Sequence, residues 1–252
     1  MFSPKVNYDQ HSNLEEFIGQ IIDLYNHGRY KAVISYINKY LDKYSSSHQL
    51  YNILGITYIK LNQNKLAYDC YKKAINIEPS FAVSYFNLGL LYHEQNAIDE
   101  AIENYKKAIK INPNYAEAYN NLGNALQCAH RAADALKSFK AAMECSPGNA
   151  VIRLNLANTL LRLGEYESGV NQLDAARALD PGSAAIAFAD ALALPVIYDS
   201  EIQVETARMR VMEKLEALER GKWTLNDPAA EVGLSNFYLP YQGRDDRNMQ
   251  ER

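Results

Sequence analysis

Small residues recur at a fixed interval of 34 along most of this chain. Gly55, Gly89 and Gly123 mark the interval, Ala157 takes the next equivalent position, and Pro79, Pro113, Pro147 and Pro181 share the spacing. A period of this length predicts a solenoid of helix pairs, in which each pair buries its apolar face against its neighbours. Solenoids act mainly by presenting an extended surface, so the period favours binding over catalysis.

The bulk composition narrows the function further. The formal net charge is -4 at pH 7, which argues against a nucleic-acid partner. No apolar run is long enough to span a membrane, and no basic-then-apolar leader is visible at the N-terminus. The three cysteines form no CxxC motif, so we expect reduced thiols and a cytoplasmic location.

The composition changes near residue 126. Residues 1–126 contain 15 of the 19 tyrosines, with 11 lysines and 1 arginine, whereas residues 127–252 contain 4 lysines and 10 arginines. The 34-residue frame crosses this point without a shift. One hypothesis is that two sources were joined in register as a chimera, and the alternative is drift between inner and terminal repeats. The codon usage of the gene would distinguish them.

We count the repeats from Leu14, His48, Ala82, Ala116 and Ala150. A regular repeat reads Tyr51-x-x-Leu54-Gly55-x-x-Tyr58, followed by Ala67, Tyr71, Ala74 and Pro79. This pattern resembles the tetratricopeptide repeat (TPR) family, with tyrosine in the usual tryptophan position. The resemblance covers about residues 48–183 and extends weakly to 14–47. Small residues such as Gly55 are expected to let the two helices of a pair approach closely.

The predicted fold is all-α, a right-handed TPR superhelical solenoid of antiparallel helix pairs with an atypical C-terminal cap. We expect an N-terminal tail (1–13), a divergent unit (14–47) and four further units (48–81, 82–115, 116–149 and 150–183). Helices are predicted over 184–194 and 201–220, the second with Ser200 as N-cap and Gly221 as its end, so that 184–221 forms the cap. In the tail (222–252), the apolar cluster 237–241 is expected to pack on the last helices.

The C-terminal part has a second resemblance. The stretches LPVIYDS, from Leu194, and NFYLPYQGRDDR, from Asn236, look like the segment that joins repeats to catalysis in bacterial O-linked N-acetylglucosamine transferases of the SPINDLY type. The resemblance covers about residues 187–252 and implies a substrate-recruiting arm. The nucleotide-sugar site of that family lies in two Rossmann-like lobes that have no counterpart in this chain, so no catalytic residue is carried over.

The TPR resemblance implies that the first helix of each pair lines a concave groove. The candidate groove residues are Asn52, Phe86, Asn87, Leu90, Asn120, Asn121, Asn124, Leu154, Asn155 and Asn158. An amide offers both a donor and an acceptor, so a column of asparagines can pair with the backbone of an extended peptide whatever its sequence. The transferase family is similar in having an asparagine ladder. Asparagine is also common at these positions as a support for the fold, and this alternative stays open.

No catalytic, cofactor or metal site is predicted, because the five histidines show no metal-ligand spacing with cysteines or carboxylates. The leading hypothesis is a non-enzymatic interaction module that binds an extended peptide or partner protein, without nucleic acid or membrane. Self-association into a homo-oligomer stays open. The alternatives are part of a glycosyltransferase whose catalytic domain is missing here, and a structural or engineered scaffold.

Overall fold

The computed structural model describes residues 8–194 and 201–220, and every regular element among them is an α-helix. The chain divides into two compact units, Met1–Pro113 (unit 1) and Asn114–Arg252 (unit 2). Unit 1 contains α1 (Tyr8–Asn26), α2 (Tyr30–Tyr40), α3 (His48–Lys60), α4 (Asn64–Ile77), α5 (Ala82–Glu94) and α6 (Ile98–Ile111). Unit 2 contains α7 (Ala116–Cys128), α8 (Ala132–Cys145), α9 (Ala150–Arg162), α10 (Tyr166–Leu179), α11 (Ala184–Ala191) and α12 (Glu201–Arg220).

The helices follow the repeat frame. Four first helices, α3, α5, α7 and α9, begin at the residues from which the repeats are counted. Within each unit every helix contacts the next one along the chain, and α3 also contacts α5, as α7 contacts α9. The first helix differs from its prediction, because α1 begins at Tyr8, inside the expected tail 1–13. Residues 8–13 contain no glycine or proline, so nothing in the sequence stops the helix from extending backwards.

A left-handed residue follows the first helix at the same repeat position in each of the five pairs from α1–α2 to α9–α10. These residues are Gly28, Asn62, Asn96, His130 and Gly164, with φ between 56° and 82°. The residue that follows donates its N–H back to the helix, as Gln63 does to the carbonyl of Tyr58 at 2.9 Å. Glycine and asparagine tolerate a positive φ best, which explains why they recur at this turn, whereas proline cannot adopt this conformation.

Close approach of the paired helices depends on a glycine facing a ring. A Cβ atom added to Gly123 would lie 2.6 Å from the Phe139 ring, and one added to Gly89 would lie 2.7 Å from Tyr105. Gly55 faces Tyr71 in the same way, which confirms the role expected for this glycine. All three rings are buried.

The α9–α10 pair has the small residue on the opposite helix. Its first helix carries Ala157 where the three preceding pairs carry glycine, and its second helix carries Gly169 where they carry alanine. A Cβ added to Gly169 would lie 2.7 Å from Leu161. Leu173 replaces the aromatic ring, and it is fully buried together with Ala157. The pair thus keeps its close contact with the two small residues exchanged.

The C-terminal helices form their own apolar cluster. Buried residues of this cluster are Ala191, Leu194, Ala207, Val211, Leu215 and Leu218. Residues 201–220 are helical as predicted, whereas α11 ends at Ala191 and not at Leu194. Pro195 disfavours helical backbone at the residue before it. Arg210 Nη1 of α12 donates a hydrogen bond to the carbonyl of Ala193, in the segment after α11, at 3.1 Å.

Two predictions concern residues that the structure does not describe. The expected caps of α12, Ser200 and Gly221, and the apolar cluster 237–241 lie outside the described residues. The compositional change near residue 126 falls within α7, so it does not coincide with the division between units at Pro113 and Asn114.

Candidate functional site

The predicted groove residues all lie on first helices. We call the side formed by α3 and α5 the unit 1 face, and the side formed by α7 and α9 the unit 2 face. Eight of the ten predicted side chains are partly exposed, but Asn52 is 6% and Leu154 is 7% exposed. These two side chains are not open to a ligand, and the site proposed below leaves them out.

Asparagine pairs connect successive first helices within each unit. On the unit 1 face, Asn87 Nδ2 donates to Asn52 Oδ1 at 2.9 Å. On the unit 2 face, Asn155 Nδ2 donates to Asn120 Oδ1 at the same distance of 2.9 Å. In both pairs the two residues are 35 apart, so the sixth position of one repeat reaches the fifth position of the repeat before it. The amides therefore bond to each other, and this supports the alternative that they stabilise the fold.

The two pairs differ in what they leave available. Asn52 Oδ1 also accepts from the Ser84 hydroxyl at 3.3 Å, so both lone pairs of this buried oxygen are used. Asn120 and Asn155 are both partly exposed. Among the described residues, the side-chain oxygen Oδ1 of Asn155 and the side-chain Nδ2–H groups of Asn120 make no further hydrogen bond. The unit 2 pair is thus oriented by one bond and retains both an acceptor and donors.

Within each unit, the residue at the fifth position of one repeat and the residue at the sixth position of the next repeat are either both polar or both apolar. Ile18 and Ile53, which are also 35 apart, both pack against the first apolar cluster of unit 1. Leu154 and Ala189 have the same relation in an apolar cluster of unit 2. Polar side chains are paired with polar ones and apolar with apolar, because an unpaired amide in such a position would lose its hydrogen bonds.

Asn121 behaves differently from the other amides of the sixth position. Its Nδ2 donates to the Glu117 carbonyl of its own helix at 2.9 Å. The residue 35 positions earlier is Phe86, which has no acceptor, so the sequence offers Asn121 no paired amide. Asn124 and Asn158, one turn further along α7 and α9, are partly exposed on the same face.

A short chain of hydrogen bonds between α7 and α9 was not predicted from the sequence. Gln127 Nε2 donates to Thr159 Oγ1 at 2.7 Å, and the Thr159 hydroxyl donates to the Asn155 carbonyl at 2.7 Å. Thr159 is 1% exposed. The only available signal was a polar residue at two positions that are usually apolar or small, 32 residues apart, and this spacing is not that of the repeat.

The surroundings of the faces are weakly charged. On the unit 2 face Val151 is 59% exposed, an unusually open position for a β-branched apolar residue. On the unit 1 face, burial lowers the pKa of His93, and the opposing charge of Glu94 does not reverse the shift. Among the described residues, no group of three or more His, Cys, Asp or Glu side chains is placed to bind a metal ion. In the same part of the chain, no helix is long and apolar enough to cross a membrane.

Two family models match the chain. The model described as TPR repeat matches residues 55–96 and 90–127, and the model described as tetratricopeptide repeat matches residues 129–193. Together the matches cover more than half of the chain. No curated protein matches the sequence.

Solved structures with similar folds extend over most of the chain. PilF of Pseudomonas aeruginosa is 19% identical, with a TM-score of 0.71 over 87% of this chain and 94% of PilF. YrrB, a TPR protein with an unusual peptide-binding site, is 17% identical, with a TM-score of 0.61 over 82% of this chain and 98% of YrrB. MamA of Desulfovibrio magneticus RS-1, solved from residue 41 to its end, is 13% identical, with a TM-score of 0.58 over 66% of this chain and 94% of that MamA chain. At these identities the likeness shows the fold, a TPR solenoid of helix pairs.

Proposed function

Because the chain belongs to the tetratricopeptide repeat family, we propose that it is a non-enzymatic interaction module that binds an extended segment of a partner protein on its first-helix faces. The peptide-binding site of YrrB, which shares the fold, is consistent with this kind of ligand. The unit 2 face is the better candidate of the two, because its paired asparagines are partly exposed.

The observation that carries the proposal is the Asn120–Asn155 pair. Its internal bond of 2.9 Å fixes both side chains before a ligand arrives, which lowers the entropy lost on binding. The remaining donors and acceptor match the C=O and N–H groups of an extended backbone. Support for the fold and contact with a ligand are therefore compatible roles of the same pair.

Exposed apolar surface supplies the second element of recognition. Val151 is the second residue of α9 and lies on the same face as the pair. Its exposure of 59% leaves it open to contact with an apolar side chain of the peptide. Backbone pairing gives affinity without sequence preference, whereas an apolar contact selects among peptides. We therefore expect the preferred peptides to carry an aliphatic or aromatic residue at one fixed position.

The test uses peptides selected from a random display library against the whole chain. The double variant Asn120→Ala/Asn155→Ala removes both partners of the internal bond, so neither amide is left buried and unpaired. Loss of two backbone contacts should raise the Kd of the selected peptides by about 5- to 30-fold. The matched control is Asn171→Ala, which removes an exposed asparagine of α10, and its Kd should equal that of the unchanged chain.

A backbone-methylated peptide makes the test specific. Methylation of one peptide N–H at a time should weaken binding to the unchanged chain at one position, and should have no further effect on the double variant. Equal affinity of the double variant and the unchanged chain, with both folded by circular dichroism, would rule out the unit 2 face.

A second candidate is the substrate-recruiting arm of a protein glycosyltransferase. It rests on the sequence of residues 187–252 alone, most of which lie outside the described residues. A transferase assay with a UDP-sugar and a peptide acceptor tests it on the full product of the gene. Sugar transfer that depends on these repeats would support the arm, and repeats that bind peptides without any transfer by that product would leave the simple module.

A further inference from the structure

The hydrogen bonds between α7 and α9 fix the orientation of a glutamine at one end of the unit 2 face. Gln127 Nε2 donates to Thr159 Oγ1 at 2.7 Å, and the Thr159 hydroxyl donates to the backbone carbonyl of Asn155 at 2.7 Å. A hydroxyl has one hydrogen and a backbone carbonyl can only accept, so the Thr159 oxygen must accept from the glutamine. The Gln127 amide therefore points its nitrogen at Thr159 and its oxygen Oε1 away from it.

This oxygen is available to a ligand. Among the described residues, Gln127 Oε1 accepts no hydrogen bond, and it is not one of the buried unpaired atoms, so solvent reaches it. Thr159, in contrast, is 1% exposed. A buried hydroxyl thus holds a partly exposed acceptor in one orientation, which lowers the entropy lost when a ligand binds.

The fold does not require polar residues at these two positions. Ile59 and Leu91 occupy the equivalent positions of unit 1, with the same separation of 32 residues. Leu91 is 2% exposed, and Ile59 packs against the apolar cluster that contains it. An apolar contact therefore suffices to join two first helices at this point, and exchanging a hydrogen-bonded pair for an apolar one can be nearly neutral. The polar pair of unit 2 differs by leaving an acceptor at the surface.

Gln127 belongs to a row of amides on one side of α7. Asn120, Asn124 and Gln127 follow one another at i, i+4 and i+7, and all three are partly exposed. At about 1.5 Å per residue, Asn120 and Gln127 lie about 10 Å apart along the helix. An extended peptide covers this distance in about three residues. A peptide residue about three positions from the one held at the Asn120–Asn155 pair can therefore contact Gln127.

The charge near this end of the face favours a neutral group on the peptide. Arg162 follows Thr159 by three residues on α9, so the two lie on the same side of the helix, and Arg162 is exposed. Its guanidinium repels the cationic side chains of lysine and arginine. Among the donors that a peptide side chain can offer, hydroxyl and amide groups remain.

We propose that Gln127 is a specificity-determining residue of the unit 2 face, where its Oε1 accepts a hydrogen bond from a serine, threonine, asparagine or glutamine side chain of the bound peptide. Thr159 is the residue that positions it. This inference rests on the peptide-binding function proposed above and adds a side-chain preference to it.

The test starts from peptides selected on the whole chain. A hydroxyl or amide residue should recur at one fixed position of these peptides, and its change to alanine should raise the Kd by about fivefold. The double variant Gln127→Ile/Thr159→Leu copies the pair of unit 1, so it should fold. It should bind a selected peptide and the alanine form of that peptide with equal affinity.

Two single changes at Thr159 separate positioning from stability. Thr159→Val removes the hydroxyl that holds Gln127 and should reduce the discrimination between the two peptides. Thr159→Ser keeps the hydroxyl and should preserve the discrimination. If Thr159 only stabilised the fold, Thr159→Val would lower the urea midpoint and leave the ratio of the two Kd values unchanged.

The inference and the proposed function fail in different ways. Selected peptides without a recurrent donor, or a discrimination that persists in Gln127→Ile/Thr159→Leu, would overturn the role of Gln127 while binding still depended on Asn120 and Asn155. Equal affinity of Asn120→Ala/Asn155→Ala and the unchanged chain would overturn the peptide site itself, and the role of Gln127 with it.

Discussion

At the scale of single residues, the contact between paired helices depends on which of two positions is small. The pairs Gly123–Phe139 and Ala157–Leu173 solve the same packing problem in two ways. Glycine has no side chain, so an aromatic ring can pack directly against it, whereas the methyl group of alanine leaves room only for the narrower leucine side chain. Cores are packed too tightly to accept a ring and a methyl group together.

Gly123→Ala should therefore destabilise unit 2 even though alanine is the better helix former. The added methyl would lie 2.6 Å from the fully buried Phe139 ring. Overpacking costs about 1–3 kcal/mol and the gain in helix propensity returns about 1 kcal/mol, so we expect a net loss of up to about 2 kcal/mol. Urea unfolding followed by circular dichroism measures it.

The control for that substitution is Gly19→Ala. A Cβ at Gly19 meets no atom within 4 Å, and the residue lies within α1, so this change should stabilise the chain by about 0.5–1 kcal/mol. The double variant Gly123→Ala/Phe139→Leu copies the Ala157–Leu173 solution, and should be more stable than the sum of its single changes. Strict additivity would show that the two positions do not share one space.

Thiol reactivity gives a second residue-scale prediction. Burial raises the pKa of Cys70 to about 11, with a smaller rise from Asp69, whereas Cys128 is exposed. The thiolate is the reactive form, so at pH 8 only about one Cys70 side chain in a thousand is reactive. Iodoacetamide at this pH should modify Cys128 well before Cys70, and each pH unit below 11 should change the rate at Cys70 about tenfold. Mass spectrometry of timed digests would show equal rates if burial does not protect Cys70.

At the scale of helices, the period predicted the positions of the first helices, because one proline and one small residue per repeat are local signals. It could not predict the Asn120–Asn155 bond, since that bond depends on how two helices are offset in space and has a spacing of 35. The backward extension of α1 to Tyr8 was also not predicted, because it reflects the absence of glycine and proline from residues 8–13 and not a motif.

A buried ion cluster joins the cap helices, because Asp190 of α11 forms ion pairs with Arg177 of α10 and with Arg210 and Lys214 of α12. Asp190→Asn would leave three cations around a neutral amide, and losing one partner of a buried ion pair is strongly unfavourable. We expect a loss of about 3 kcal/mol in the free energy of unfolding, at the lower end of such effects because the cations are partly exposed.

The matched control for the cap is Asp134→Asn. Asp134 pairs with Arg131 at 2.7 Å on the surface of the same unit, with both side chains more than two-fifths exposed. Its loss should cost less than about 1 kcal/mol. If the two variants unfolded at the same urea concentration, the Asp190 cluster would have no special part in holding α10, α11 and α12 together.

At the scale of the whole molecule, the chain is two units that each have their own apolar clusters. The all-α class and the TPR fold could be predicted from the 34-residue period, because each repeat meets mainly its neighbours and needs no long-range pairing. The division at Pro113 and Asn114 could not, since the repeat frame continues through it unchanged. Of the predicted groove, the placement on first helices is local and followed from the period, whereas the burial of Asn52 and Leu154 depends on neighbours outside their own repeat.

Nearest-neighbour stability predicts how damage spreads. In Gly123→Ala, amide hydrogen exchange should accelerate in α7–α10, the helices around the altered contact, and should remain unchanged in α1 and α2 of unit 1. Hydrogen exchange with mass spectrometry resolves these segments. A uniform acceleration across all helices would mean that the chain unfolds as a single cooperative body.

The α9–α10 pair has alanine on its first helix (Ala157) and glycine on its second (Gly169), the reverse of the three pairs before it, and this reversal limits how such arrays can be recombined. A crossover inside a repeat that joined α9 to α8 would set the Ala157 methyl against the Phe139 ring, and one that joined α7 to α10 would leave a hole between Gly123 and Leu173. Genetic shuffling, or a designer assembling new binders, can therefore trade intact helix pairs but not their halves.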